Sequence, residues 1–315
     1  MASDHQTLDH RALIASLTAA ERARLTERTD RHGLIRLASH FGAIILLAAL
    51  IAAGALGWAV LVLPLGILLV FLFTLLHETV HETPFRSAWI NRWVARVCAF
   101  VLFLPPQWFR FFHLAHHRHT QDPERDPELA SPKPDTLWRY VVHVSGLPIW
   151  RSQLTTLFAN AFGRAEYEYV PASVRPRLVR EAGLMLALYV LLAVGSLIAG
   201  STLLVWIWLL PLPVGQPFLR LYLLAEHGRC PPVANMLENT RTTFTNGLVR
   251  WIAWNMPYHA EHHSYPLVPF HKLPDFHRLT RDRLRTTERG YARFNRRYLA
   301  EMGRGSKPVT DRPGA

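Results

Sequence analysis

The chain has 315 residues, half of them hydrophobic, yet 35 Lys and Arg against 23 Asp and Glu give a formal net charge of +12. Apolar and charged residues must therefore be segregated, and the two cysteines, Cys98 and Cys230, exclude a disulfide framework or a Cys-rich metal site. A positive balance of this kind suits anionic lipid headgroups and an acidic partner better than nucleic acid.

Residues 1–36 are charged and lack the apolar core of a secretory signal, so they are expected as a cytosolic N-terminal segment ahead of a retained first span. From Leu37 to Leu76, and again from Ala182 to Leu219, there is no Asp, Glu, Lys or Arg. At about 1.5 Å per residue each run makes about 60 Å of helix, enough for two crossings of a hydrocarbon core roughly 30 Å thick. The runs break at Gly54-Ala55-Leu56-Gly57 and at Gly200-Ser201. Two helical hairpins follow, with spans at 37–55, 58–76, 182–199 and 202–219. Six Arg precede Leu37, thirteen Lys or Arg lie between the hairpins and sixteen follow Leu219, while the hairpin turns carry none. The positive-inside rule then places both termini and the central segment in the cytoplasm. Only Lys133, Lys272 and Lys307 are Lys, an Arg bias that fits a GC-rich bacterial genome and so an inner-membrane location.

Between the hairpins, Val94–Leu104 is apolar but too short to span, and is expected to lie in or dip into the interface. It leads to Trp108, Phe109, Phe111 and Phe112, an aromatic cluster suited to a membrane-surface belt or to part of a lipid pocket. The acidic loop Asp122–Glu128 offers carboxylates that could orient histidine ligands. Residues 138–162 are expected as interfacial helix. Arg278 to Arg297 holds eight Arg and is expected as a surface helix opening a basic tail, 281–315.

Nine histidines in four groups carry the chemistry: His77 and His81; His113, His116 and His117; His227; and His259, His262 and His263. On a helix, residues three and four apart share a face, so an i, i+4 pair or an i, i+3, i+4 triple aims its imidazoles together. Neutral imidazole ligates iron, zinc and copper. Taken singly, His227 is as readily an interfacial residue, and His77/His81 a polar helix end. Two copies of HxxHH are harder to explain without metal, because three buried imidazoles in five residues need partners. The total exceeds one tetrahedral site and points to two metals. His77-Glu78-Thr79-Val80-His81 also matches HExxH, which would make an intramembrane zinc metalloprotease with Glu78 as base. That reading leaves both HxxHH groups without a role. A di-iron carboxylate bundle needs two Glu-x-x-His motifs, and Glu78–His81 is the only one among the clustered histidines. In the two-metal reading Glu78 is instead a surface group at a helix end or one that supports the ligands from behind.

HxxxH after the second span, HxxHH between the hairpins and a late HxxHH together resemble the membrane fatty acid desaturase/hydroxylase superfamily. The stretch Met256-Pro257-Tyr258-His259-Ala260-Glu261-His262-His263-Ser264-Tyr265-Pro266 is especially similar to the desaturase branch. The resemblance covers roughly residues 37–280. It implies an all-α integral membrane protein in which four transmembrane helices support a helical cytosolic cap holding a histidine-rich dimetal site. It also implies two iron ions, O2 as co-substrate, and double-bond insertion into a fatty acyl or related lipid chain, with a lipid or carotenoid hydroxylase or ketolase as the alternative. The metal ligands it implies are His77, His81, His113, His116, His117, His259, His262 and His263. His227 resembles the extra histidine after the fourth span, and no catalytic residue beyond the ligands is expected. The acyl-CoA branch has an Asn four residues before that histidine, where this chain has Leu223, and four residues rather than three inside its first box. Both differences argue against assuming an acyl-CoA substrate. Asn239 and Arg241 are candidates for holding a headgroup carboxylate or phosphate, with a capped helix start as the alternative. Trp108 is a further candidate substrate contact. Neither tail is long enough for a heme domain, so electrons are expected from a separate carrier such as a ferredoxin.

Overall fold

The computed structural model describes residues 9–302, and these are almost entirely helical. In chain order the helices are α1 (His10–Ser16), α2 (Ala19–Leu25), α3 (Asp30–Ala52), α4 (Trp58–Val70), α5 (Leu72–Val80), α6 (Ala88–Val101), α7 (Pro106–His119), α8 (Leu137–Ser145), α9 (Leu147–Ala161), α10 (Arg175–Ile198) and α11 (Pro211–His227). There follow α12 (Met236–Asn239), β1 (Thr242–Phe244), α13 (Gly247–Ile252), α14 (His259–Ser264), α15 (Leu273–Thr280), β2 (Thr287–Arg289) and α16 (Tyr291–Ala300).

Four helical stretches are long and apolar enough to cross a membrane: Ala19–Ala52, Trp58–Val80, Ala172–Ile198 and Val205–His227. Each expected span overlaps one of them. The first and third carry most of their large apolar side chains exposed, with Leu46 at 60%, Leu191 at 66% and Ile198 at 83%. Faces of this kind are stable against lipid, not water. The apolar stretch around Val94–Leu104 is not one flat element. Helices α6 and α7 meet at an angle of 101°, a broken span or a re-entrant loop. Pro105 and Pro106 cannot continue the α6 ladder, and Phe103 reverses the chain at a positive φ of 57°.

The described residues fall into two compact units. One, the membrane unit, comprises Thr29–Ala115 and Trp138–Arg220. Two of its helices approach closely at Gly66 of α4 and Gly215 of α11. A Cβ on Gly66 would stand 2.1 Å from the Pro211 carbonyl oxygen, and one on Gly215 would stand 2.2 Å from the Gly66 carbonyl. Small residues permit this approach, which is how lipid-embedded helices gain packing. The His40 imidazole Nε2 lies 3.0 Å from the Leu68 carbonyl oxygen, and the Ser87 amide and hydroxyl both donate to the Asp30 carboxylate. Phe103 stacks on Trp208 at 5.1 Å and on Tyr189 at 4.6 Å, and the Tyr189 hydroxyl donates to the Phe100 carbonyl at 2.7 Å. Just before α11 the ladder switches to a π turn at Val205–Leu209, with the Leu210 amide donating to the Val205 carbonyl at 2.8 Å. Pro211 and Pro213 have no N–H to keep the α register there.

The other, polar unit holds the residues up to Arg28, His116–Leu137 and the residues from Leu221 on. Trp254, Phe270 and Phe276 are among its fully buried side chains. β1 pairs with β2 in parallel, Thr243 opposite Glu288. The expected surface helix from Arg278 to Arg297 is therefore corrected to four short elements: the end of α15, a 3-10 turn, β2 and α16. Pairing with Thr242–Phe244 holds Thr287–Arg289 extended, and Gly290, at φ 95°, ends the strand. Residues 281–300, expected as tail, are thus folded, and the remainder of 303–315 lies outside the described residues. Residues 138–162 form α8 and α9 rather than one helix, because Gly146 interrupts them at φ 74°.

Gly66→Val or Gly215→Val should lower stability by about 1–3 kcal/mol, the usual cost of overpacking a close contact. The check is the thermal midpoint of the detergent-purified protein. Gly183→Val, where a Cβ meets nothing within 4 Å, should leave that midpoint unchanged.

Candidate metal centre

In the membrane unit, α5 carries His77 in its last turn and His81 as its C-cap, and α7 brings His113 against them. The His77 and His113 ring centres are 4.1 Å apart, and His81 Nε2 lies 3.1 Å from His113 Nε2. Arg110 ties α7 to the end of α5 by donating to the Val80 carbonyl at 2.7 Å. Burial, with the Arg110 charge nearby, pushes His81 down to about 3, so its imidazole is the neutral ligand form at neutral pH.

The polar unit gathers the other six. His116 Nε2 lies 3.2 Å from His227 Nε2, and His227 Nε2 lies 3.1 Å from His259 Nε2. The ring centres of His117 and His263 stack at 4.0 Å, and those of His117 and His262 are 5.0 Å apart. One nitrogen each from His116, His227 and His263, all three buried, lie within 4.8 Å of one another. His227 is the last residue of α11.

Two of these imidazoles have Nδ1 hydrogen-bonded from behind, and a carboxylate lies near a third. Asp126 lies 2.9 Å from His116 Nδ1, the Thr120 hydroxyl lies 3.2 Å from His263 Nδ1, and a Glu226 carboxylate oxygen is 3.5 Å from His259 Nδ1. Each of the two hydrogen bonds fixes its ring and leaves Nε2 as the ligand atom. Burial opposes charge on His116, but Glu128 and Asp126 outweigh it and raise its pKa. Burial and the neighbouring imidazoles hold His263 well below the usual histidine range. Its Nε2 is buried and has no hydrogen-bond partner among the described residues. A buried ring nitrogen without a partner is costly unless a cation takes it up.

The spacing also suits metal. Ligand atoms adjacent on an octahedron, with bonds of about 2.1 Å, lie roughly 3.0 Å apart. The closest Nε2 pairs, at 3.1 and 3.2 Å, have that separation. The residues present therefore fit a metal ion, and the imidazole-rich donor set fits iron or zinc better than magnesium or calcium.

The remaining expected site residues lie elsewhere in these units. The Asn239 amide donates to the Thr120 and Val233 carbonyls, and Arg241 donates to the Ala225 and Gly228 carbonyls while covering the Phe294 ring. Arg241 thus satisfies carbonyls at the end of α11, work for which an arginine fork near a helix C-terminus is suited. Trp108 stacks on Phe112 at 5.1 Å in the membrane unit. Glu78 is fully buried and accepts from the Thr83 hydroxyl at 3.2 Å, which removes the surface position from the two expected for it and leaves the one behind the ligands. Sequence reasoning missed Glu261, also fully buried. It bonds the Thr242 hydroxyl and His277 Nδ1, and so fixes the helix that carries the last three histidines. Its place inside the second HxxHH was the only available signal.

Fold and site together define a helical membrane protein with two histidine-built metal-binding groups. The family model for fatty acid desaturases matches residues 55–295, and the chain belongs to that family. Membership makes it a membrane oxidoreductase of the desaturase and hydroxylase kind, whose metal site is typically di-iron. No curated protein matches the chain.

Asp126→Asn should weaken metal retention roughly 10- to 100-fold, because it can no longer select the His116 tautomer with Nε2 free. Metal content after chelator challenge is the measurement, with the exposed Glu124→Gln in the same loop expected to behave as wild type.

Proposed function

We propose that this protein is an O2-dependent di-iron oxidoreductase that introduces a double bond into a fatty acyl or related lipid chain. The observation that carries the reading is the arrangement of nine histidines with their backing groups, inside a chain of the desaturase family. We assign His77, His81 and His113 to one iron and His116, His227, His259 and His263 to the other. His117 and His262 complete the set. When bound, the irons supply the oxidising power for attack on an unactivated C–H bond, with O2 and two external electrons.

The chain's own residues do the rest. Buried neutral imidazoles leave coordination positions free, and the surrounding apolar side chains keep water out. Trp108 and Phe112 offer an apolar surface for the lipid chain. Loss of two hydrogens gives an alkene and gain of one oxygen an alcohol, and the position of the chain against the metals decides between them. Hydroxylation of a lipid or carotenoid is the second reading; it uses the same ligands. Arg241 and Asn239 hold their own backbone, so a headgroup role for them would require them to change partners. The charge distribution supports cytoplasmic termini in a bacterial inner membrane, with electrons from a separate carrier such as a ferredoxin.

Lipid mass spectrometry of cells with and without the gene should show a product lighter by two hydrogens; a product heavier by one oxygen would establish the second reading. Purified active protein should carry close to two irons per chain, and one zinc with iron-independent activity would refute the assignment. His227→Ala should lose metal and turnover as His259→Ala does, whereas His143→Ala should lose neither. Glu78→Gln should retain measurable activity. In an HExxH protease it would be inactive with its metal still bound.

A further inference from the structure

The acidic loop after α7 places two carboxylates on one ring. Asp126 sits at Nδ1 of His116, and a Glu128 oxygen sits 3.1 Å from Nε2 of the same imidazole. Only the first contact is the familiar backing of a ligand histidine. The second is on the ligating side, where His227 Nε2 also approaches to 3.2 Å.

We propose that Glu128 is an anionic ligand of the metal held by His116, His227 and His263, giving that ion a mixed imidazole–carboxylate set. The proposal rests on the metal reading above and adds a ligand to it. Four observations carry it. The separation of 3.1 Å matches neighbouring donors on one ion, roughly 3.0 Å apart for bonds of about 2.1 Å. The position is built: Asp126 caps the 3-10 turn Pro127–Ala130, its Oδ1 accepts from the Glu128 amide at 2.9 Å, and Pro127 stiffens the start of the turn. Lys133 occupies the other oxygen of Glu128 at 2.8 Å, which leaves one oxygen for a metal. Finally, the His263 Nε2 in the same three-histidine group is buried with no hydrogen-bond partner among the described residues, so its lone pair is available to the same ion.

A carboxylate on one ion and not the other makes the two metals chemically distinct. The mixed site becomes harder and carries one more negative charge, which favours the more oxidised metal. Both the charge and the oxygen donor come from a loop rather than from a helix end, so this ligand can be altered without changing any histidine.

The experiment uses full-length detergent-purified protein loaded anaerobically with Fe2+, with release into a colorimetric chelator followed over time. Wild type should hold two irons. In Glu128→Gln one of the two should leave at least tenfold faster while the other keeps its rate, and Glu128→Asp should fall between. Lys133→Met should release iron no faster than wild type, because it frees the second carboxylate oxygen and removes a nearby positive charge. If Glu128 and Lys133 formed only a structural ion pair, both variants would speed release alike, and that outcome overturns the proposal. So does a Glu128→Gln protein that keeps both irons at the wild-type rate. Should Glu128→Gln fail to fold, faster release from Glu128→Asp beside release no faster than wild type from Lys133→Met supports the proposal, and equal acceleration in both overturns it. Two irons in wild type with no effect of Glu128 would refute this ligand alone, whereas fewer than two in wild type would overturn the two-metal reading as well.

Discussion

Nine imidazoles can be buried together only if each keeps one nitrogen satisfied and offers the other to a cation. Without the cation, unpartnered ring nitrogens in a low-dielectric interior cost several kcal/mol in all. Without the backing contacts, the tautomers would be free and the ligand atoms would not converge. The Asp126, Thr120 and Glu226 contacts to Nδ1 are therefore as much part of the site as the histidines. The same demand explains buried groups farther back: Glu261 links Thr242 and His277 beneath the last box, and Arg241 satisfies the carbonyls that α11 exposes as it ends beside His227.

The membrane helices serve this site through where they end. α5 and α11 are the second halves of their hairpins, and each ends in a histidine or its neighbour, His77 with His81 on one and His227 on the other. Within the membrane unit the Gly66–Gly215 contact sets the approach of α4 to α11 by backbone contact, without long side chains that could repack. Backbone-limited packing is stiff, and metal ligands need that stiffness, because a misplacement of about 1 Å costs a large share of activity.

The spans and the histidine groups were legible because they depend on one-dimensional signals: absence of charge over forty residues, and spacing of three and four. The run from Leu37 to Leu76 read as two spans, and two helical stretches long and apolar enough to cross a membrane, Ala19–Ala52 and Trp58–Val80, overlap it. Elements shaped by contacts distant in sequence were not legible. Arg278–Arg297 looked like one basic helix, but pairing of Thr287–Arg289 with Thr242–Phe244 pulled its middle into a strand. Whether Glu78 lay at the surface or behind the ligands was not legible, because nothing in the sequence reveals that Thr83 closes over it. The acidic loop was recognisable as a possible support for histidines. Which carboxylate meets which ring nitrogen depended on the turn at Pro127.

The HxxHH spacing itself has a geometric consequence that links the two groups. At about 100° per residue, the second histidine lies about 60° to one side of the first and the third about 40° to the other. Such a helix presents imidazoles in two directions, which is wasteful for one ion and suitable for two. Helix α7 shows the division directly: His113 meets His77 and His81, whereas His116 meets His227.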